Sequence, residues 1–285
     1  MAIYNYMDKF LMANFGRFIA FLFLFFVVVM FVGSCASDAD KAQKERTVEE
    51  LYNEGYEALG KHNYEKAAKM FDELERQHPY SSWASKAELM AAYSYYENEK
   101  YDDAILALDR FIQLHPGNKN TPYAYYMRAM CFYEQISDVY RDQKITLLAR
   151  DALQEVFRRF PDSVYARDAK VKYDLTIDHL AGKEMAIGRY YQEQNDILAA
   201  LNRYQQVVIE YQTTTHVQEA LYRLVECYTT LGLKKEAIRS AAVLGYNYPN
   251  SEWYDMAYKL AELDAEQLKK IKEEEAENSW LGLSF

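Results

Sequence analysis

AAKMFDELERQHPYS, residues Ala67 to Ser81, is the stretch on which the fold of this chain turns. Its landmarks are an Ala, a bulky residue four positions on, an apolar residue three after that, and a proline twelve from the Ala. They recur as Ala67, Phe71, Leu74, Pro79; Ala104, Leu108, Phe111, Pro116; Ala149, Leu153, Val156, Pro161; Ala200, Tyr204, Val207, Gln212; and Ala237, Ala241, Leu244, Pro249. Steps of four and three place the first three members on one helical face. A proline steers the residue before it out of the helical region, so each helix is predicted to stop there. Five copies predict five stacked helical pairs, and the quoted stretch is the second helix of the first pair.

Composition agrees with long helices and short turns. Of 285 residues half are hydrophobic and 27 are Tyr, while Gly and Pro number only 10 and 5, too few breakers for a many-stranded sheet. The net charge is −10; Asp8, Lys9 and Arg17 give residues 1–34 a net +1, so the remainder carries −11. That balance disfavours a nucleic-acid backbone as partner.

The helices preceding each Ala supply the rest of the repeat. Leu51, Gly55 and Ala58 come before Ala67, Phe71 and Pro79, which resembles the tetratricopeptide pattern of a bulky residue, a small one, an aromatic, then Ala, Phe, Pro. The small slot lies twelve residues before the Ala and recurs at Ala92, Gly188 and Val225. It allows close contact within a pair. Ser81, Ser163 and Ser251 follow the prolines by two and are expected to cap the next helix. Turn-to-turn spacing is 37 at both ends of the array but 45 and 51 in between. The extra residues of copy three surround SDVYRDQK and predict a longer loop. Those of copy four lie in a proline-free segment with an apolar stripe through Ala169, Tyr173, Ile177, Leu180 and Met185, and predict one long helix over about 164–193. The fold class is therefore all-α, a tetratricopeptide-like superhelical array of five helix pairs plus a C-terminal capping helix.

Both ends depart from the repeat. Phe18 to Val32 is a run of fifteen uncharged, strongly apolar residues behind Lys9 and Arg17, short for a bilayer span and suited to a secretory signal. Val32-Gly33-Ser34-Cys35 resembles a lipoprotein cleavage box, which makes Cys35 the lipid attachment residue; an uncleaved anchor is the alternative. The expected organisation is a signal peptide over 1–34, a lipidated tether over 35–46, repeats one to three over 47–163, repeats four and five with the long linking helix over 164–250, and a capping helix with tail over 251–285. The last helix is apolar at Trp253, Met256, Leu260, Leu263 and Leu268 and becomes charged at KKIKEEEAE. The final SWLGLSF is read either as a frayed tail or as a small apolar docking peptide.

Nothing in the chain resembles a catalytic constellation. His62, His78, His115, His179 and His216 show no metal-ligand spacing, Cys131 and Cys227 sit two repeats apart, and Ala181-Gly182-Lys183 lacks the upstream glycine of a phosphate loop. No cofactor is expected beyond the covalent lipid on Cys35, no metal and no catalytic residue. In tetratricopeptide arrays the first helix of each pair lines a concave groove, and on that register the lining is Tyr52, Tyr56, Leu89, Tyr93, Tyr96, Tyr126, Met130 and Tyr133. Tyr offers apolar area and a hydroxyl at low entropic cost, which suits an extended peptide. Packing of some of these rings between neighbouring repeats is the competing reading.

The lipobox, the five repeats, the insertion YEQISDVYRDQ (133–143), the string HLAGKEMAIGRYY (179–191) and EALYRLVECY (219–228) together resemble the outer-membrane protein assembly factor BamD family over about residues 20–260. The resemblance implies a non-enzymatic lipoprotein of the outer membrane, facing the periplasm, within the machinery that folds and inserts β-barrel proteins. Unfolded barrels would meet the amino-terminal repeats, and a BamA-type barrel subunit the carboxy-terminal ones, with Arg203 matching a basic residue used there and accessory lipoproteins as further partners. Residues after about Glu262 match no feature of the family. A cell-envelope adaptor that recruits peptidoglycan enzymes is the alternative; a glycan-binding lipoprotein or an enzyme ranks lower.

Overall fold

The structure, a computed structural model, describes residues 45–261 and residue 273. The signal segment, Cys35, most of the tether and the tail lie outside the described residues. Every regular element described is an α-helix: α1 (Val48–Gly60), α2 (Tyr64–Gln77), α3 (Ala84–Glu97), α4 (Tyr101–Leu114), α5 (Thr121–Tyr133), α6 (Lys144–Arg159), α7 (Ala166–Glu193), α8 (Ile197–Glu210), α9 (Val217–Thr230), α10 (Lys234–Asn247) and α11 (Glu252–Leu260). Each helix packs on the next. The first helices also touch across repeats, α3 against α5, α5 against α7, and α9 against α11. The fold is a tetratricopeptide-like superhelical array.

The sequence landmarks form its interior. Every Ala, bulky and apolar member of the five sets is buried, Ala237 at 2 % being the most exposed. Burying one side chain of the Leu or Phe class is worth roughly 1.5–3 kcal/mol, so the repeated face accounts for the stacking. The small slot works by proximity: a Cβ on Gly55 would meet the Phe71 ring at 2.9 Å, and one on Gly188 the Tyr204 ring at 2.5 Å. In the fifth pair the bulky slot holds Ala241, and α11 compensates by laying Tyr254 against Gly245, where a Cβ would stand 2.4 Å from the ring.

Helix ends follow from local chemistry. α2, α4, α6, α8 and α10 stop at His78, His115, Phe160, Tyr211 and Tyr248, whose N–H groups donate to Leu74, Phe111, Val156, Val207 and Leu244 carbonyls at 2.8–3.0 Å. The following proline, or Gln212, then leads the chain away. Within four pairs the turn passes through the left-handed region at His62, Glu99, Asn195 and Gly232, each five residues before its Ala, and only the last is a glycine. Asn63 and Asp196 cap α2 and α8, accepting from the Lys66 and Ala199 N–H groups at 3.1 and 3.3 Å.

The expected serine caps are not formed. Ser81 Oγ accepts from the Trp83 N–H at 3.2 Å, ahead of the helix, and the Ser163 and Ser251 hydroxyls are buried with no hydrogen-bond partner. For Ser81 and Ser163 the reason is distance, because a tight turn separates each from α3 or α7. Their backbone carbonyls accept instead, from the Ala84 and Ala166 N–H groups at 3.0 and 3.1 Å.

The two irregular copies meet each other. The copy-three insertion forms a loop over 134–143, tied by the Gln143 amide to the carbonyls of Asp138 and Arg141 at 3.2 and 3.0 Å. It reaches α7, the single long helix expected for copy four, where Val139 lies 3.8 Å from the position of a Cβ on Gly182. On the same segment Asp178 accepts from the Thr215 N–H and Oγ1 at 3.1 and 3.0 Å, which fastens the turn before α9. Gly182 is therefore kept small by packing, with His216 Nε2 at 3.2 Å.

Candidate functional site: the first-helix face of repeats one to three

Position along α1, α3 and α5 decides which side chains share a face. Tyr52, Leu89 and Tyr126 hold one slot, Tyr56, Tyr93 and Met130 the slot four residues on, and Tyr96 and Tyr133 the next. Two of these are corrected by the structure: Leu89 and Met130 are 6 % and 7 % exposed and belong to the interior. Unlike the phenols beside them they have no polar end to carry toward water, so contact with adjoining helices covers them. The rest keep ring or hydroxyl at the surface, except Tyr52, which is buried beneath its neighbours.

At the amino end Tyr52 forms a floor. Its ring stacks on Tyr56 at 6.4 Å, and meets Trp83 edge-on at 4.6 Å and Phe71 at 5.7 Å. Tyr56 is 62 % exposed. Lys86 Nζ stands 4.8 Å above the Tyr52 ring and 5.3 Å above Trp83. Further along, Tyr93 hydrogen-bonds Glu97, and burial with that acid raises its pKa. Tyr96 lies edge-on to Tyr101 at 5.8 Å and donates to Glu134 Oε1 at 3.4 Å.

The third repeat adds a denser cluster. Tyr126 stacks on Tyr165 at 5.2 Å and donates to Asp168 Oδ2 at 2.6 Å, while Lys172 reaches Asp168 at 3.1 Å and covers the Tyr133 ring at 5.6 Å. Tyr123 also packs on Tyr165, at 5.5 Å, and burial pushes its phenol up to about 12. The phenols of Tyr96 and Tyr126 are raised too, by burial first and by the neighbouring carboxylates. All remain hydrogen-bond donors at physiological pH. The face thus presents aromatic edges with protonated hydroxyls, held in place by Glu97, Glu134 and Asp168.

Asp168 titrates below an ordinary aspartate, chiefly because it accepts from Tyr126, then because of Lys172. A depressed carboxyl contributes stability above the usual aspartate range near pH 4, and that contribution is lost as pH falls through the folded-state value. Tyr126→Phe is expected to move the Asp168 titration upward, so the contribution becomes smaller and its loss is complete at a higher pH. Carboxyl-detected NMR titration of both proteins checks this, and an unmoved Asp168 would remove Tyr126 as the cause.

The carboxy-terminal half carries a different surface. Arg189 spans both carboxylate oxygens of Glu219 at 3.0 and 3.1 Å, Arg223 reaches Glu226 at 2.8 Å, and Gln192 donates to Glu226 at 3.1 Å. Arg203, the residue implicated by resemblance, is 38 % exposed along its side chain and pairs with Glu184 at 3.0 Å. Cys131 and Cys227 are free and buried, and burial pushes their thiols up to about 12 and 11. Among the described residues no cluster of His, Cys, Asp or Glu is arranged to hold a metal. No helix among them is long and apolar enough to cross a membrane.

Sequence reasoning missed Trp83, Lys86, Tyr123, Tyr165, Glu134 and Asp168. Lys86 and Tyr123 occupy the slot three residues before Leu89 and Tyr126, so extending the register by one position would have found them. Tyr165 precedes its helix in a turn and carries no periodic signal. The Arg189–Glu219 and Gln192–Glu226 pairs join residues 30 and 34 apart, beyond any local pattern.

Comparison with known proteins places the chain in a family. A family model described as "YfiO: Outer membrane lipoprotein" matches residues 44–244. The outer membrane protein assembly factor BamD of Caulobacter vibrioides is 48 % identical, over 82 % of this chain and 78 % of its own. The BamD of Rickettsia prowazekii is 47 % identical, over 82 % of this chain and 93 % of its own. Among solved structures, a TPR repeats protein from Bacteroides fragilis is similar at 22 % identity and a TM-score of 0.38, over 75 % of this chain and 87 % of that one. The chain belongs to the YfiO/BamD family of outer membrane lipoproteins.

Proposed function

We propose that this protein is a non-enzymatic subunit of the outer-membrane β-barrel assembly machinery, held at the periplasmic face by lipid on Cys35. It receives unfolded barrel proteins on the first-helix face of repeats one to three and binds a BamA-type barrel subunit through its carboxy-terminal half, near Arg203. The observation that carries the reading is the row Tyr56, Tyr93, Tyr96, Tyr126, Tyr133 along the first helices of successive repeats, in which the hydroxyls of Tyr93, Tyr96 and Tyr126 are anchored to acids. An extended chain with alternating side chains suits such a row, since each ring offers apolar area and spare hydrogen-bonding capacity. The names of the relatives support the process, and the tyrosine row supports the proposed way of holding a chain.

Replacing Tyr56, Tyr93 and Tyr96 together by Ala is expected to lower photo-crosslinking to a barrel carboxy-terminal peptide by about tenfold or more, since aromatic contacts commonly cost over 1 kcal/mol each when truncated. Circular dichroism should show helicity retained. Crosslinking that persists at the wild-type level would remove this face from the mechanism. Affinity purification through the carboxy-terminal half tests the rest: recovery of cell-wall hydrolases without a barrel subunit would favour an adaptor for peptidoglycan enzymes. Arg203→Ala should weaken recovery of the barrel subunit while leaving peptide crosslinking unchanged.

A further inference from the structure

Successive helices pack side by side through short turns, so the turns fall alternately on two edges of the array. One edge holds the turns between pairs, which in the amino-terminal half are HPYSSW (78–83), HPGNKN (115–120) and FPDSVY (160–165). The start of α1 lies at this edge as well, where Tyr52 meets Trp83 at 4.6 Å. Two side chains there hardly pack: Tyr80 is 100 % exposed and Val164 85 %, the highest values among the large apolar residues described. The matching turns of the carboxy-terminal half, QTTTH (212–216) and PNSE (249–252), are polar instead. Lys86, Lys119 and Arg167 stand exposed beside the same amino-terminal turns, and among the described residues none of them lies within ion-pair distance of a carboxylate. Asp162 is exposed among them, while Asp168 is occupied by Tyr126 and Lys172. The opposite edge is acidic, with ENEKYDD (97–103) and EQISDVYRD (134–142). In a chain of net charge −10 the first edge is thus a local exception.

We propose that this edge is a membrane-contact surface, in which Tyr80 and Val164 enter the headgroup layer of an anionic lipid surface while Lys119 and Arg167 meet its phosphates. The proposal rests on the reading of Cys35 as the lipid attachment residue and adds how the folded array is turned beneath that anchor. Cys35 lies thirteen residues before Val48, so the connection spans at most about 45 Å, and the array begins at this edge. Contact through four side chains is too weak to recruit a free protein. A short flexible link raises the effective concentration of the surface to about millimolar, where weak contacts are filled. A tyrosine suits the headgroup layer because its ring is apolar while its hydroxyl stays wet. Lysine and arginine add attraction to an anionic surface within about a Debye length of it, and the acidic edge is repelled over the same distance. Both effects turn the 97–103 and 134–142 edge away from the lipid, so the first-helix face between the two edges stays uncovered.

The test uses the lipidated protein in vesicles of phosphatidylethanolamine and phosphatidylglycerol that carry a nitroxide on a fraction of their headgroups. A bimane label is placed at Ser82→Cys on this edge or at Ser137→Cys on the opposite one, both exposed serines, while the buried thiols of Cys131 and Cys227 stay unlabelled. Nitroxide quenching should be greater at Ser82 than at Ser137. Tyr80→Ser combined with Lys119→Glu should lower it at Ser82 by about threefold, the effect of losing one or two weak surface contacts. Both are exposed turn residues, so circular dichroism should be unchanged. Added salt, or phosphatidylethanolamine alone, should lower the Ser82 signal as well. Equal quenching at the two labels, or stronger quenching at Ser137, overturns the membrane edge and leaves the anchor intact. A Ser82 signal that the double variant does not change overturns the assignment to these side chains. Failure of the wild-type protein to float with the vesicles overturns the anchor reading itself, and the edge with it.

Discussion

Tyr204→Ala is expected to lower the unfolding free energy by about 3–5 kcal/mol, the cost of removing a large aromatic from a packed core. Tyr204 is fully buried, its ring fills the space beside Gly188, and its hydroxyl donates to Gln192 Oε1 at 2.8 Å. The substitution opens a cavity and strands that amide oxygen, and both changes act in one direction. Set against a typical domain stability of about 5–15 kcal/mol, the loss is large enough to leave the carboxy-terminal repeats partly unfolded at physiological temperature. Urea denaturation followed by circular dichroism measures it as a drop in midpoint. Tyr204→Phe separates the contributions, since it keeps the ring and should cost only about 0.5–1.5 kcal/mol for the hydrogen bond. A wild-type midpoint for Tyr204→Ala would show that the fourth pair does not rely on this ring.

Gly188→Ala carries the second large effect, and its sign is the informative part. Helix propensity alone predicts a gain of about 1 kcal/mol, because Gly188 lies well inside α7. The added methyl, however, would stand 2.5 Å from Tyr204 Cε1 and 2.9 Å from two further ring atoms, a rigid group with no room to retreat. Overpacking of this kind costs about 1–3 kcal/mol, so the expected outcome is destabilisation. In a Tyr204→Leu background the clash is removed, and Gly188→Ala should become neutral or stabilising. The double-mutant cycle reports the contact directly; additive effects would mean that the glycine is there for another reason.

How far the sequence discloses this molecule depends on what a signal repeats with. The Ala, bulky and apolar landmarks return in a fixed frame, and each of them is buried as that frame predicts, Phe71 beneath Tyr52 and Tyr204 against Gly188 alike. α7 was legible because its segment lacked proline while keeping an apolar stripe. At Ser81 and Ser163 the expected caps fail because the frame fixes where a residue falls in the chain but not how tightly the intervening turn winds. The left-handed turn residue was invisible at Glu99, a residue type that seldom adopts that conformation. On the tyrosine face, register found the rings, and burial separated Leu89 and Met130 from them. Glu97 orients Tyr93 from one turn along the same helix, but the other two acids come from elsewhere in the chain: Glu134 follows α5 and Asp168 opens α7, 38 and 42 residues from Tyr96 and Tyr126.

The apolar interior is distributed unevenly along the array. From Leu180 to Ala261 the buried residues of α7 to α11 form one continuous cluster, whereas repeats one, two and three each have a smaller cluster of their own. In a linear array whose stability sums over units and their interfaces, the first arrangement opens as a block and the second opens piecewise. Amide exchange should accordingly be slow and uniform across α8 to α10, and graded from repeat to repeat across α1 to α6. The half with the tyrosine row is then the compliant one, free to change the spacing between its repeats, and the half with the continuous core is the fixed mount against which that change is made.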